Sequence, residues 1–168
     1  MSPIDTHRTE PVVKAIGAGS DMPLSLPSSK VRPWHLERKA IVYIRQSTPQ
    51  QVLEHRESAD RQYSLVQRAA SLGWPQGCVE VVDEDQGRSG RTVEGRLGFQ
   101  YLLAEVSLDH VGIIFGLEMS RLARSCKDWY QLLELCGIFG TLLADQDGLY
   151  NPAVFNDRLL LGLKRPPL

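Results

Sequence analysis

The feature that most constrains this chain is a rhythm: four short apolar runs, separated by segments of helical periodicity. The runs are "KAIVYI", "CVEVVDED", "HVGIIFGLEM" and "GTLLAD". Ile41 to Ile44 follow one another without alternation, as in a strand covered on both faces. Between the runs, "SADRQYSLVQRAASLG" places Ala59, Gln62, Tyr63, Val66 and Ala70 along one helix face, with Gly73 as its stop. "RLGFQYLLAEV" sets Phe99, Leu102, Leu103 and Val106 at helical spacing, and "DWYQLLELCGIF" does the same for Trp129, Leu132, Leu133 and Cys136. Strands joined by helices of this length imply right-handed crossovers. The expected fold is α/β, three layers, with a mainly parallel four- to five-stranded sheet flanked by helices.

Length and composition agree with one such domain. The 168 residues can bury a single sizeable core, and 42% hydrophobic with 23% charged residues is ordinary for a globular chain. Residues 1–37 hold five prolines and many small polar residues without sustained periodicity, so they read as a disordered extension preceding the domain. The longest uncharged apolar run, Val111 to Leu117, is far too short to cross a bilayer, and the N-terminus lacks a secretion signal. A cytoplasmic protein without membrane contact is expected. Cys78, Cys126 and Cys136 have no metal-binding or disulfide spacing, and Cys136 is expected to be buried. His7, His35, His55 and His110 are scattered and read as surface or packing residues. A net charge of −1 excludes a globally basic nucleic-acid binder, so any role on DNA must rest on local clusters.

Such clusters stand where the chain leaves the strands. The first run ends into Arg45 and Ser47, which point the same way if the chain stays extended. The second ends into "DEDQGRSGRTVEGR", with Asp85, Arg88, Ser89, Arg91 and Arg96; the third ends into "EMSRLARSCK", with Arg121 and Arg124, which share a face if that segment is helical. In an open parallel sheet, ligands bind beyond the carboxyl ends of the strands. One serine facing several arginines suits phosphate chemistry, because guanidinium stays protonated and binds phosphate oxygens through a planar fork. There is no GxSxG elbow, no GxxxxGK[ST] loop and no histidine at a comparable place, so lipase-like, P-loop and Ser-His-Asp readings fail.

The set "YIRQS", "DRQ", "DQGRSG", "RLGFQYLL" and "SRLARS", in that order, resembles the catalytic domain of serine site-specific recombinases, the resolvase/invertase family, over about residues 38–164. The resemblance implies that Ser47 is the nucleophile, that Arg45, Arg96, Arg121 and Arg124 are catalytic, and that Gln51, Gln62, Asp85 and Ser89 support the site. It implies cleavage and exchange of DNA strands through a covalent 5′-phosphoserine, with neither metal nor ATP. Recombination or integration of DNA, as in mobile genetic elements, would be the outcome. Which group takes the serine proton is left open; Asp85 is a candidate.

Two departures stand out. Many members carry an acid immediately before the "RLxR" motif, where this chain has Ser120, with Glu118 the nearest upstream carboxylate. After "NPAVFNDRLLLGLK", which looks like the approach to the family's long dimerisation helix, residues 165–168 read "RPPL", and prolines do not continue a helix. The expectation is that this helix and the DNA-binding domain are missing. Expected partners are DNA and either further copies, as a homodimer or tetramer, or a full-length relative. The alternative functional reading is a truncated, inactive remnant acting only as a protein-interaction module; a receiver-like or phosphate-ligand module ranks behind both, since a receiver wants acids where this chain has Arg45 and Ser47.

Overall fold

The computed structural model describes residues 29–45, 55–83 and 97–167. Its elements are α1 (Pro33–Leu36), β1 (Lys39–Ile44), α2 (His55–Leu72), β2 (Val79–Asp83), α3 (Leu97–Ser107), β3 (Val111–Phe115), α4 (Cys126–Phe139), β4 (Leu142–Ala144), β5 (Leu149–Tyr150) and α5 (Phe155–Leu163). The strands form one sheet in the order β2-β1-β3-β4-β5. The first four are parallel and β5 runs antiparallel to β4. This is the expected mainly parallel α/β sheet.

Strand pleating sorts side chains between two cores. Ile41, Tyr43, Ile114 and Leu143 pack with Phe99, Leu102 and Val106 of α3, with Trp129, Leu132, Leu133 and Cys136 of α4, and with Leu161 of α5. Ala40, Val42, Ile44, Ile113, Phe115, Leu142 and Ala144 pack with Leu65 and Ala69 of α2, with Trp74 and with Val31. The three layers follow directly. Because β1 and β3 are covered on both faces, their sequences lack polar alternation. Each large aliphatic side chain buried this way, such as Leu102 or Leu132, contributes roughly 1.5–3 kcal/mol. The two buried tryptophans also satisfy their polar handles: Trp129 Nε1 donates to the Leu161 carbonyl at 3.1 Å and Trp74 Nε1 to the Arg38 carbonyl at 3.0 Å.

The apolar faces expected for α3 and α4 are the buried ones, with Leu103 partly buried. On α2 the face differs. Leu65 and Ala69 face the sheet with Gln62, Val66 and Leu72 half-buried beside them, while Tyr63 is 67% exposed and Ala59 and Ala70 are exposed. Leu65, Ala69 and Leu72 form a stripe at i, i+4, i+7, one position round from the expected one. Alanines count little in deciding a face, and a tyrosine keeps its hydroxyl in water at small cost. The helix does stop at Gly73, whose φ is +114°.

Residues 29–37 correct the expected boundary: they belong to the fold. Val31 is buried in the second core and α1 caps the amino end of β3. His35 is 1% exposed; its Nδ1 accepts from the Arg32 N–H at 2.8 Å, so Nε2 is the protonated nitrogen and donates to the Gly140 carbonyl at 2.9 Å. A Cβ at Gly112 would collide with the His35 carbonyl, and one at Gly140, where φ is +71°, would collide with the Trp34 ring. Lys30 reaches the Leu149 carbonyl at 2.8 Å and Asp157 at 2.9 Å. The prolines and small residues of the wider 1–37 stretch hid this packed segment, with Pro33 at the start of its helix. Residues 1–28 lie outside the described residues.

Among the described residues no helix is long and apolar enough to cross a membrane, and no group of three His, Cys, Asp or Glu side chains is placed to hold a metal ion. Cys136 is buried, as expected, and burial pushes its thiol pKa up.

Candidate functional site

The strand order reverses between β1 and β3, which both start from the amino side and end side by side. Their register pairs Val42 with Phe115, and β1 pairs Ile44 with Asp83 of β2. The crevice beyond such a reversal is where parallel sheets bind ligands. Three of the expected catalytic arginines are delivered to this carboxyl pole by neighbouring strands: Arg45 directly after β1, and Arg121 and Arg124 in the segment after β3.

Arg45 is half-buried, and its Nε is sealed from solvent with no hydrogen-bond partner among the described residues. A buried charged donor left unmatched is costly unless something fills the vacancy. The β3 segment is rigidly placed. Gly116 N–H donates to the Ala144 carbonyl at 2.9 Å, carrying the chain straight past the strand end. Met119, Leu122 and Ala123 then plunge into the first core. The residues between them, Glu118, Arg121 and Arg124, stay exposed. A single 3₁₀ turn spans Met119–Arg121, and Ser125 caps α4 by accepting from the Asp128 N–H at 3.1 Å. The helical segment that would align Arg121 with Arg124 is therefore confined to that turn, and Arg124 lies beyond it. Arg121 Nε lies 3.2 Å from Glu118 Oε2. Gln62 is half-buried on α2. Ser47, Gln51, Asp85, Ser89 and Arg96 lie outside the described residues.

The pole is asymmetric in a way the sequence pattern did not reveal. At the end of β4, Asp145 is 2% exposed and fully engaged. Its Oδ1 accepts from the N–H groups of Asp147 at 2.9 Å and Gly148 at 3.0 Å, and from the Tyr150 hydroxyl at 3.4 Å; Lys164 meets Oδ2 at 3.2 Å. Arg68 of α2 donates to the Asp145 carbonyl. Burial alone would lower the Lys164 ammonium, but hydrogen bonds to Asp147, Tyr150 and Asp145 outweigh it and hold its pKa above the usual value. Burial likewise raises the Tyr150 hydroxyl. This half of the pole is closed on itself. Its only sequence trace is the "DQDG" turn, where an aspartate accepts from backbone N–H groups two and three residues on.

Comparison with known proteins places this architecture. The family described as Resolvase, N terminal domain, matches residues 40–165. A curated relative, the uncharacterized protein y4bA/y4pH of Sinorhizobium fredii, is 54% identical over 135 residues, which is 80% of this chain and 20% of that protein. The chain thus spans about a fifth of that relative's length. The structure of a resolvase family site-specific recombinase from Streptococcus pneumoniae superposes with a TM-score of 0.56 at 21% identity, covering 75% of this chain and 82% of that one. The N-terminal catalytic domain of TP901-1 integrase gives 0.51 at 20% identity, covering 75% and 90%. Both share the fold.

Proposed function

Because the chain belongs to the resolvase family of serine recombinases, through its N-terminal catalytic domain, we propose that it breaks and rejoins DNA strands by attack of Ser47 on a backbone phosphodiester. The bond from the serine oxygen to phosphorus forms as the bond from phosphorus to the 3′ oxygen breaks. A 5′-phosphoserine and a free 3′-hydroxyl result. One ester of phosphate replaces another, so the step needs no nucleotide to drive it, and rejoining is its reverse. Arg45, Arg121 and Arg124 hold the nonbridging oxygens and the charge that gathers on five-coordinate phosphorus. Arg96 assists them, and Gln51, Gln62, Asp85 and Ser89 support the site. The catalytic unit is residues 38–164 with the packed 29–37 segment joined to it.

The observation that carries this reading is Arg45, directly after β1 at the carboxyl pole, whose Nε is buried with no partner among the described residues. An unmatched charged donor of this kind supports a role in holding an anionic oxygen that the described residues do not supply. The test mixes the protein with supercoiled or nicked DNA bearing its site and looks for a protein–DNA adduct that survives denaturation. The reading predicts an adduct in the parent chain and none with Ser47→Ala; an adduct that persists in the variant removes Ser47 from the role.

A further inference from the structure

Arg121, in the segment after β3, carries a carboxylate beside it. Glu118 caps the Met119–Arg121 turn, its carbonyl accepting from the Arg121 N–H at 3.1 Å, and this sets the two side chains beside each other. Their Nε to Oε2 distance is 3.2 Å with the side chains 44% and 59% exposed, Arg121 first. The backbone beneath them is fixed, because Met119 and Leu122 are 1% and 2% exposed in the first core. Carboxylate and phosphate compete for the same guanidinium edge, each accepting parallel N–H bonds.

We propose that Glu118 is a resting-state counter-ion, a carboxylate that holds the Arg121 guanidinium until a DNA phosphodiester takes its place. The inference rests on the reading of Arg121 as a phosphate-binding group. Glu118 is a positioning residue here: it touches Arg121, not the substrate. Ser120, where many members of the family carry an acid, leaves the turn's negative charge to Glu118 alone. An exposed pair of this kind is weak, so the exchange is easily reversed. A phosphate embedded in a polyanion displaces the carboxylate, whereas an isolated anion at low concentration does not.

The experiment measures binding of a fluorescein-labelled DNA duplex to the full chain by anisotropy at fixed ionic strength. Glu118→Gln removes the charge. Glu118→Asp keeps the charge but, one methylene shorter, fails to span to Arg121 Nε. Both variants are expected to bind about two- to fivefold tighter than the parent, the range an exposed ion pair supplies. Arg121→Ala is expected to bind more weakly, and adding Glu118→Gln to it to change nothing further. If Glu118→Asp binds like the parent, the carboxylate acts only through its general field and the counter-ion is overturned while the phosphate site stands. If Arg121→Ala binds as tightly as the parent, the phosphate-site reading falls and takes the counter-ion with it.

Discussion

The amino pole of the sheet and the β1–β3 half of its carboxyl pole treat their cations in opposite ways. At the amino pole, Arg38 donates to the Phe139 carbonyl at 2.8 Å, grips Asp109 with both terminal nitrogens at 2.8 and 2.9 Å, and lies 4.9 Å above the Trp34 ring. Lys39 sits between Glu105 at 2.6 Å and Glu80 at 2.8 Å and also reaches the Tyr101 hydroxyl at 3.0 Å. Both cations have internal partners, and α1 packs against the amino end of β3. In the β1–β3 half of the carboxyl pole, Arg45 keeps a buried Nε without a partner among the described residues, and Arg121 is met by an exposed carboxylate. The lesson is physical. A guanidinium satisfied from within settles its own desolvation, whereas one left short costs stability, which fits the phosphate-binding role proposed for Arg45.

The sharpest way to break this contrast is Arg45→Ala. If Arg45 serves a ligand, adduct formation with DNA falls by about 10²–10³-fold, as when one preorganised charge-stabilising donor is lost. Midpoints of chemical unfolding should hardly move, or rise. A large loss of stability would instead make Arg45 a structural residue like Arg38. Next in size is Gly112→Val at the other pole, where the added Cβ meets the His35 carbonyl, a backbone atom with little room to shift. Overpacking of this kind costs about 1–3 kcal/mol. Urea titration checks it, and adduct yield per folded molecule should stay at the parent's value.

The same contrast explains what the sequence revealed and what it hid. The strands, the α3 and α4 faces and the placement of Arg45, Arg121 and Arg124 at one pole were legible, because they follow from continuous apolar runs, period-3.6 patterns and topology. The α1 cap was not. Its contacts run from His35 to Gly140 and from Arg38 to Asp109, and its composition resembles the proline-rich stretch before it. The sealed β4 end was hidden for a similar reason: Arg68, Asp145 and Lys164 are isolated charges in sequence that meet only once α2, β4 and α5 have packed. The α2 face was misjudged where alanines made two helix faces almost equal. Ser47, Asp85, Ser89 and Arg96 were read from their place after the strands and, with Gln51, from the motifs; all five lie outside the described residues.

His35 gives the amino pole a pH dependence that the carboxyl pole should not share. Desolvation is the main reason its pKa lies below 6.5; the nearby Arg38 and Arg32 charges act the same way, while its bond to Gly140 opposes them. A depressed histidine pKa means that the unfolded chain binds more protons. Stability is therefore fully present above about pH 6.5, the unfolded value, and declines as pH falls below it toward the folded pKa. Unfolding midpoints followed from pH 8 to pH 5 should show the decline, and His35→Gln should flatten it, leaving the residual slope of the carboxylates. An unchanged slope would mean that His35 is not the sensor.

The smallest effect sharpens the comparison most, because it sets two similar ion pairs against each other. Asp109, 52% exposed at its side chain, answers Arg38 much as Glu118 answers Arg121. Asp109 has φ of +67°, a conformation that asparagine also tolerates, so Asp109→Asn removes the charge without straining the turn. Arg38 retains the Phe139 carbonyl and the Trp34 face, and solvent already screens the lost attraction. The cost should be at most about 1 kcal/mol, shrinking further in high salt, with DNA binding unaltered. Neutralising Glu118 should do the reverse, leaving stability nearly constant while affinity for DNA rises. Equal behaviour of the two variants in both assays would mean that the poles do not differ in kind, and that the unmatched nitrogen of Arg45 is a local accident of packing.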